Sequence, residues 1–247
     1  MSPNTKEALL DAAERLFTEN GYNAVSTRDL AEAAGANLAA IKYHFGSKAK
    51  LFIEVVTRLM GKSGVVEARL DFHGPLVTGE QAAKAIGAHV YGFLYYLLNC
   101  SHPQACRMML RESCTDHSED PEMYESLIAQ VTTSFLRPLE ESLVGAIKVV
   151  CPTLTREQCV MGARSITGQC AYYGSHRIFL ERIDERSLSS DSEIRRIASH
   201  VTEFSFKALG CSEEMLQFAY EGIEEVIKST FDGQVQSAGG DLRDAGN

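Results

Sequence analysis

Apolar residues recur along the chain at spacings of three and four, and no alternating strand pattern bounded by turn glycines interrupts them, which predicts an all-α fold. Leu9, Ala13, Leu16 and Phe17 form the inner stripe of a first helix that Gly21 stops, with Tyr22 and Val25 carrying buried contacts through the turn. Ser26 or Thr27 caps a short second helix whose inner face is Leu30, Ala31 and Ala34, and Gly35 stands where a left-handed C-terminal residue is expected. Ala36 and Asn37 complete a tight turn into a third helix over 38–44, and Ser47 is positioned to cap a long fourth helix carrying Leu51, Phe52, Val55, Val56 and Leu59. Further helices are predicted over 80–99, 103–113, 121–150, 155–183, 192–209 and 212–231, with Pro121 and Pro152 marking starts or breaks. The segment 71–79, DFHGPLVTG, reads as the joint between an N-terminal head and a larger helical body, with Gly64, Gly74 and Pro75 near it as candidate hinge residues. The expected division is a head over 1–60, a helical domain over 61–232, and a glycine-rich, polar flexible tail over 233–247.

Within the head, the run TRDLAEAAGANLAAIKYHFGSKAK from Thr27 to Lys50 has helix, glycine-containing turn and helix at the spacing of a helix-turn-helix. Helical geometry is expected to turn Leu38, Ile41 and Phe45 toward Leu30 and Ala34, leaving Ala39, Ala40 and Tyr43 outward. Two alanines let a helix sink into a major groove and touch thymine methyls, while Tyr43 offers a ring and a hydroxyl to a base edge or the sugar-phosphate chain. Lys42, His44 and Lys48 flank that surface as phosphate contacts, and the amides near Lys48 add the positive end of a helix dipole.

The 247 residues are 45% hydrophobic and 23% charged, enough to bury a real core. A net charge of −9 argues against a protein that coats nucleic acid along its whole length. Residues 1–62, however, hold eight basic against seven acidic side chains, a net +1 that leaves −10 for the rest, so any DNA contact belongs at the N-terminal end. No stretch approaches the roughly 18 apolar residues of a membrane span, and the first twenty residues carry Lys6, Glu7, Asp11 and Glu14 where a signal peptide needs an apolar run, so a cytoplasmic protein without a membrane partner is expected. Seven cysteines without a CxxC spacing signal neither a disulfide framework nor a zinc knuckle and read as reduced, mostly buried small hydrophobes.

These residues carry a resemblance. The stretch from about Lys6 to Leu59, with LFTENGYNAVST, RDLAEAAG and above all IKYHFGSKAKLF, resembles the DNA-binding head of the tetracycline-repressor (TetR) family. The resemblance implies that Thr27 and Arg28 begin the helix behind the recognition helix and reach DNA, with Arg28 available to read guanine. It implies that Leu38, Ala39, Ala40, Lys42, Tyr43 and His44 form the reading surface and that Lys48 anchors phosphate. One departure is that Lys42 stands where the family usually has tyrosine, which replaces an aromatic phosphate contact with a charged one. In the body, RMMLRESCTDHSEDPEMYESLIAQ, FLRPLEESL and ITGQCAYYGSHRIFL resemble the CecR-like subgroup. That narrower likeness implies a helical effector domain and a dimer interface built from the helices over 155–183 and 192–209.

The expected protein is thus a homodimeric transcriptional regulator, usually a repressor, that holds palindromic double-stranded operator DNA and is released by a small-molecule effector. Tyr95, Met109, Phe135, Gln169, Tyr172, Tyr173 and His176 are the candidates to line the effector cavity, since they combine aromatic, adaptable and polar groups, although such stripes also serve as ordinary core. The alternative is a metal- or thiol-redox-responsive regulator of the same architecture, using Cys100 with His102 and Cys106, or Cys114 with His117. A helical enzyme is the remaining alternative, against which stands the absence of a glycine-rich phosphate loop, a nucleophile elbow or a spaced metal triad. No catalytic residue, metal ligand or cofactor is therefore assigned.

Overall fold

The structure, a computed structural model, describes residues 3–62, 78–99, 108, 111–112 and 120–240. Among them every regular element is helical: α1 (Pro3–Asn20), α2 (Thr27–Ala33), α3 (Leu38–Phe45), α4 (Lys48–Lys62), α5 (Gly79–Asn99), α6 (Pro121–Val131), a π-helical turn (Thr132–Leu136), α7 (Arg137–Val150), α8 (Arg156–Ser175), α9 (Arg177–Asp184), α10 (Asp191–Ala208) and α11 (Glu213–Gly240). Residue contacts group the described chain into two compact units, one drawn from 1–66 and 101–138, the other from 67–100 and 139–247. Residues Gly64, Gly74 and Pro75, and most of the helix expected over 103–113, lie outside the described residues.

In the first unit, α1 buries Leu9, Leu10, Ala13 and Phe17, and α4 buries Leu51, Phe52, Val55 and Val56. The rings of Phe17 and Phe52 meet edge to face at 5.0 Å, and Tyr22 closes the cluster 5.1 Å from Phe52. Each of the buried leucines, valines and phenylalanines is worth about 1.5–3 kcal/mol of transfer from water. Arg58 of α4 reaches Asp11 at 2.7 Å, Glu7 at 3.4 Å and Glu14 at 3.5 Å, stapling α4 along α1. The end of α1 is finished from far along the chain: the Arg111 guanidinium donates to the carbonyls of Phe17 and, at 3.2 Å, Thr18, beside Gly21 at φ +83°. A cation over the last carbonyls of a helix meets the negative end of the dipole, and at Phe17 it adds a second bond to a carbonyl that already accepts from the Gly21 amide at 2.9 Å. Tyr22 donates its hydroxyl to Asp120 at 2.6 Å; burial first, and then this carboxylate, push the phenol above its ordinary range.

The expected helix over 121–150 is interrupted by a π turn just before Pro138. Proline removes one amide donor and its ring crowds the carbonyl four residues back, so a widened turn there relieves a clash that a regular helix would keep.

In the second unit, α5 buries Ile86, Val90, Tyr91, Leu94 and Leu98. It crosses α11 backbone to backbone: a Cβ added to Gly87 would stand 1.9 Å from the Ala219 carbonyl oxygen, and one added to Gly222 would stand 1.9 Å from that of Lys84. Along the same seam Lys84 binds Glu80 at 3.1 Å, Glu221 at 3.2 Å and Glu225 at 3.3 Å. The expected single helix over 155–183 is instead two, because the chain breaks at His176 (φ −105°, ψ 9°). Just before the break a Cβ on Gly174 would meet Leu97, and just after it Arg177 donates to the Leu98 carbonyl at 2.8 Å, so the break is fitted to the C-terminal end of α5. The helix α11 runs to Gly240, into the stretch read as a tail, and 241–247 lie outside the described residues.

Candidate nucleic-acid interface

The geometry of α2 and α3 is set by local chemistry at their ends. Ser26 caps α2 through a reciprocal box: its hydroxyl accepts from the Asp29 amide at 3.2 Å, and the Asp29 carboxylate accepts from the Ser26 amide at 2.8 Å and hydroxyl at 2.7 Å. Those bonds hold the Asp29 carboxyl below its usual range. The turn uses Gly35 at φ +59°, and Asn37, whose side-chain oxygen accepts from the Ala39 amide at 2.9 Å, caps α3. Gly46 at φ +82° ends α3, and Ser47 accepts from the Lys50 amide at 3.1 Å to start α4. Turn and caps together fix the angle at which α3 is offered.

On α3 the faces differ in one respect from expectation. Ala40 is fully buried (0%), together with Ile41 and Phe45, whereas Leu38 is 50% exposed and Tyr43 75% exposed, with Ala39 and Lys42 also outward. Ala40 is therefore corrected from groove-facing to core, and Leu38 from core to surface. On a helical wheel 40, 41, 44 and 45 share one arc, and 38, 39, 42 and 43 the other. Alanine satisfies either environment, so packing of α3 against the rest of the head decides that position.

Around this face, Arg28 is exposed and Thr27 half-buried at the start of α2. Half-buried His44 turns its Nε2 into the protein with no hydrogen-bond partner among the described residues, its ring edge-on to Tyr43 at 4.9 Å. The Lys48 ammonium stands 4.0 Å over the Tyr22 ring, a cation–π contact that positions the charge at the first residue of α4. Lys6 pairs with Glu54 at 2.7 Å and lies 5.5 Å over the Phe45 ring, pinning the far end of α3. Leu38, Ala39, Lys42 and Tyr43 thus form one exposed face of α3 that mixes small, apolar, basic and hydroxyl-bearing side chains, the groups that base edges and phosphates accept. The caps Asn37 and Ser26 and the distant brace Arg111 were not among the expected site residues. Asn37 was recognisable as a cap preference, while Arg111 gave no local signal.

The seven candidate effector contacts are divided between the two units and the residues outside those described. Met109 lies outside the described residues, and buried Phe135 belongs to the first unit. The other five belong to the second unit. Tyr95 is half-buried with its ring 6.0 Å from that of Tyr91, whose phenol burial pushes up to about 12. Gln169 donates to the Ser205 hydroxyl at 3.2 Å, and Tyr173 is half-buried. Tyr172 (51% exposed) and His176 stack on each other at 4.5 Å on the outer surface, which corrects their expected place in an interior cavity. The reason is the stripe Cys159, Ala163, Ile166 and Cys170, which faces the core at spacings of four, three and four and turns Met161, Ser165, Gly168 and Tyr172 outward.

Among the described residues no group of three His, Cys, Asp or Glu side chains is arranged to hold a metal, and no helix is long and apolar enough to cross a membrane. Cys100, His102, Cys106, Cys114 and His117 lie outside those residues.

Residues 9–55 match the model of bacterial regulatory proteins of the tetR family. The chain is 28% identical over 182 residues, 70% of its own length and 77% of the other's, to the HTH-type transcriptional repressor NicS of Pseudomonas putida. Among solved structures it is similar to Salmonella enterica GusR, with a TM-score of 0.57 at 16% identity over 85% of this chain and 98% of that one. It is also similar to a SmeT–triclosan complex, with a TM-score of 0.55 at 15% identity over 83% and 90%. The narrower CecR-like likeness is not confirmed by these matches. The helix-turn-helix geometry and the match over residues 9–55 agree that the head of this chain is a DNA-binding domain like that of the tetR-family regulatory proteins, and the NicS match extends the likeness to a transcriptional repressor over 70% of the chain.

Proposed function

We propose that the protein is a cytoplasmic, homodimeric repressor that binds a two-fold symmetric operator through α3 and is released when a small molecule occupies the body of the chain. The observation that carries the reading is the division of α3 into a buried arc and an exposed arc bearing Leu38, Ala39, Lys42 and Tyr43. One eight-residue helix reads too few base pairs for tight binding, and a two-fold axis doubles the contacts. The partner surface is the outward face of α8 and α10, where Met161, Tyr172 and Phe204 are exposed and Gly168 leaves open space for a neighbouring backbone. Large apolar side chains held in water along two helices are the mark of a protein contact. Release requires that the effector bind the two conformations of the dimer unequally. The functional division is a head over 1–60, an effector and dimerisation domain over 61–232, and a tail over 233–247. Tyr95, Gln169 and Tyr173, half-buried in the second unit, are the residues we assign to the effector.

The test is to select bound fragments from genomic DNA and titrate the recovered operator with the parent protein, Lys42→Ala and Tyr43→Ala at several salt concentrations. Tyr43→Ala should weaken binding about tenfold or more, and Lys42→Ala should reduce the salt slope by about one. Unchanged affinity and slope in both variants, with helical content retained, would overturn the assignment of α3.

A further inference from the structure

Cys151 and Cys211 are 60 residues apart in sequence, yet their Sγ atoms stand 2.8 Å from each other. Two non-bonded carbons rest at about 3.5–4.0 Å, and a disulfide bond measures about 2.05 Å, so this pair needs only a small side-chain adjustment to join. We infer that Cys151 and Cys211 form a reversible dithiol–disulfide couple, closed by a low-molecular-weight disulfide, that staples the turn after α7 to the turn before α11.

Both backbones are already fixed where the bond would form. The Cys151 amide donates to Ile147 at 2.8 Å and its carbonyl accepts from Leu154 at 3.1 Å. Lys148 holds the same turn by donating to Pro152 at 2.8 Å and Leu154 at 2.6 Å. Across from it, the Cys211 amide donates to Phe206 at 3.0 Å, past Gly210 at φ +73°. The two turns are held close by α8 and α10, since a Cβ on Gly162 would come within 2.9 Å of Leu209. The staple encloses α8, α9 and α10 in one covalent loop.

The two thiols differ in access, which orders the chemistry. Cys211 is partly exposed and Cys151 is buried. The Cys211 thiolate attacks one sulfur of oxidised glutathione, forming a mixed disulfide and expelling one glutathione thiolate. The Cys151 thiolate then attacks the Cys211 sulfur, forming the Sγ–Sγ bond and expelling the second. The two protons given up by the protein thiols go to the two glutathione thiolates, so the protein loses two protons and two electrons and the glutathione disulfide gains them. Burial holds the Cys211 thiol above its ordinary range, so thiolate is scarce near neutrality and the couple closes slowly under sustained oxidation. Cys159 and Cys170 are buried on the inner stripe of α8, and burial pushes the Cys170 thiol up to about 12, so both serve as internal controls.

The test incubates the full chain with oxidised glutathione, quenches with iodoacetamide and maps the peptides. The expected product is a Cys151–Cys211 cross-link, lost on adding dithiothreitol, with a melting temperature raised by about 5–10 °C in the oxidised form. Cys151→Ser should accumulate the Cys211–glutathione mixed disulfide, and Cys211→Ser should form neither product. Recovery of Cys151 and Cys211 as alkylated thiols after oxidation would overturn the couple, as would a cross-link of either one to a different cysteine. Peptides of the parent chain alone distinguish these outcomes, so a variant that fails to fold leaves the test intact.

Discussion

The two surfaces that this chain turns outward are built on opposite rules. On α3, the exposed residues Leu38, Ala39, Lys42 and Tyr43 mix small, basic and hydroxyl-bearing groups over a buried arc of Ala40, Ile41 and Phe45. On α8 to α10 the outward positions include Met161, Tyr172, Ile178, Phe179, Ile183 and Phe204, while the core stripe of α8 is made largely of Cys159, Ala163 and Cys170. A groove lined by base edges and phosphates favours narrow teeth and positive charge. A protein surface favours wide apolar side chains shed from water. Exposure alone therefore says little until the kind of exposed group is considered.

The contrast breaks most sharply at the apolar face. The double variant Met161→Glu with Phe204→Glu should turn a dimer into monomers in sedimentation equilibrium and lower operator affinity on the order of 100-fold, because two linked heads are lost as one binding unit. Dimers of parent stability with parent affinity would show that this face serves another purpose. A smaller effect is expected at the brace of the head. Replacing Arg111 by Met removes a cation from the last carbonyls of α1 and, with the side chain partly in water, should cost about 1–2 kcal/mol in urea unfolding. Smallest is the cap of the recognition helix: Asn37→Ala should cost about 1 kcal/mol, with Asn37→Gly closer to the parent. A greater loss in operator affinity than in stability would show that the cap serves the angle of α3 more than its persistence.

The head was legible because its signals are local. Ser26, one of the two residues expected to cap α2, the glycines at 21 and 35, and Ser47 each act within a few residues, and each does in the structure what its position implied. The facing of Ala40 was not legible, because an eight-residue helix offers two turns of pattern and alanine favours neither side. In the second unit the usual inference that the largest apolar residues lie inside is reversed on α8, so Tyr172 and His176 were assigned to an interior that Cys159, Ala163, Ile166 and Cys170 occupy. The break at His176 and the π turn before Pro138 depend on fitted neighbours and on proline's missing donor, which apolar periodicity does not register. The Cys151–Cys211 approach spans three whole helices and leaves no mark in local spacing.

The crossing of α5 and α11 at Gly87 and Gly222 has a mechanical consequence. Two backbones in such contact, with Lys84 locked to three carboxylates beside them, can neither roll nor slip in register without driving main-chain atoms together. The pair behaves as a single strut. A push applied to either helix is passed on to the ends of both instead of being absorbed along their length, and the compliance of the second unit must reside in its turns.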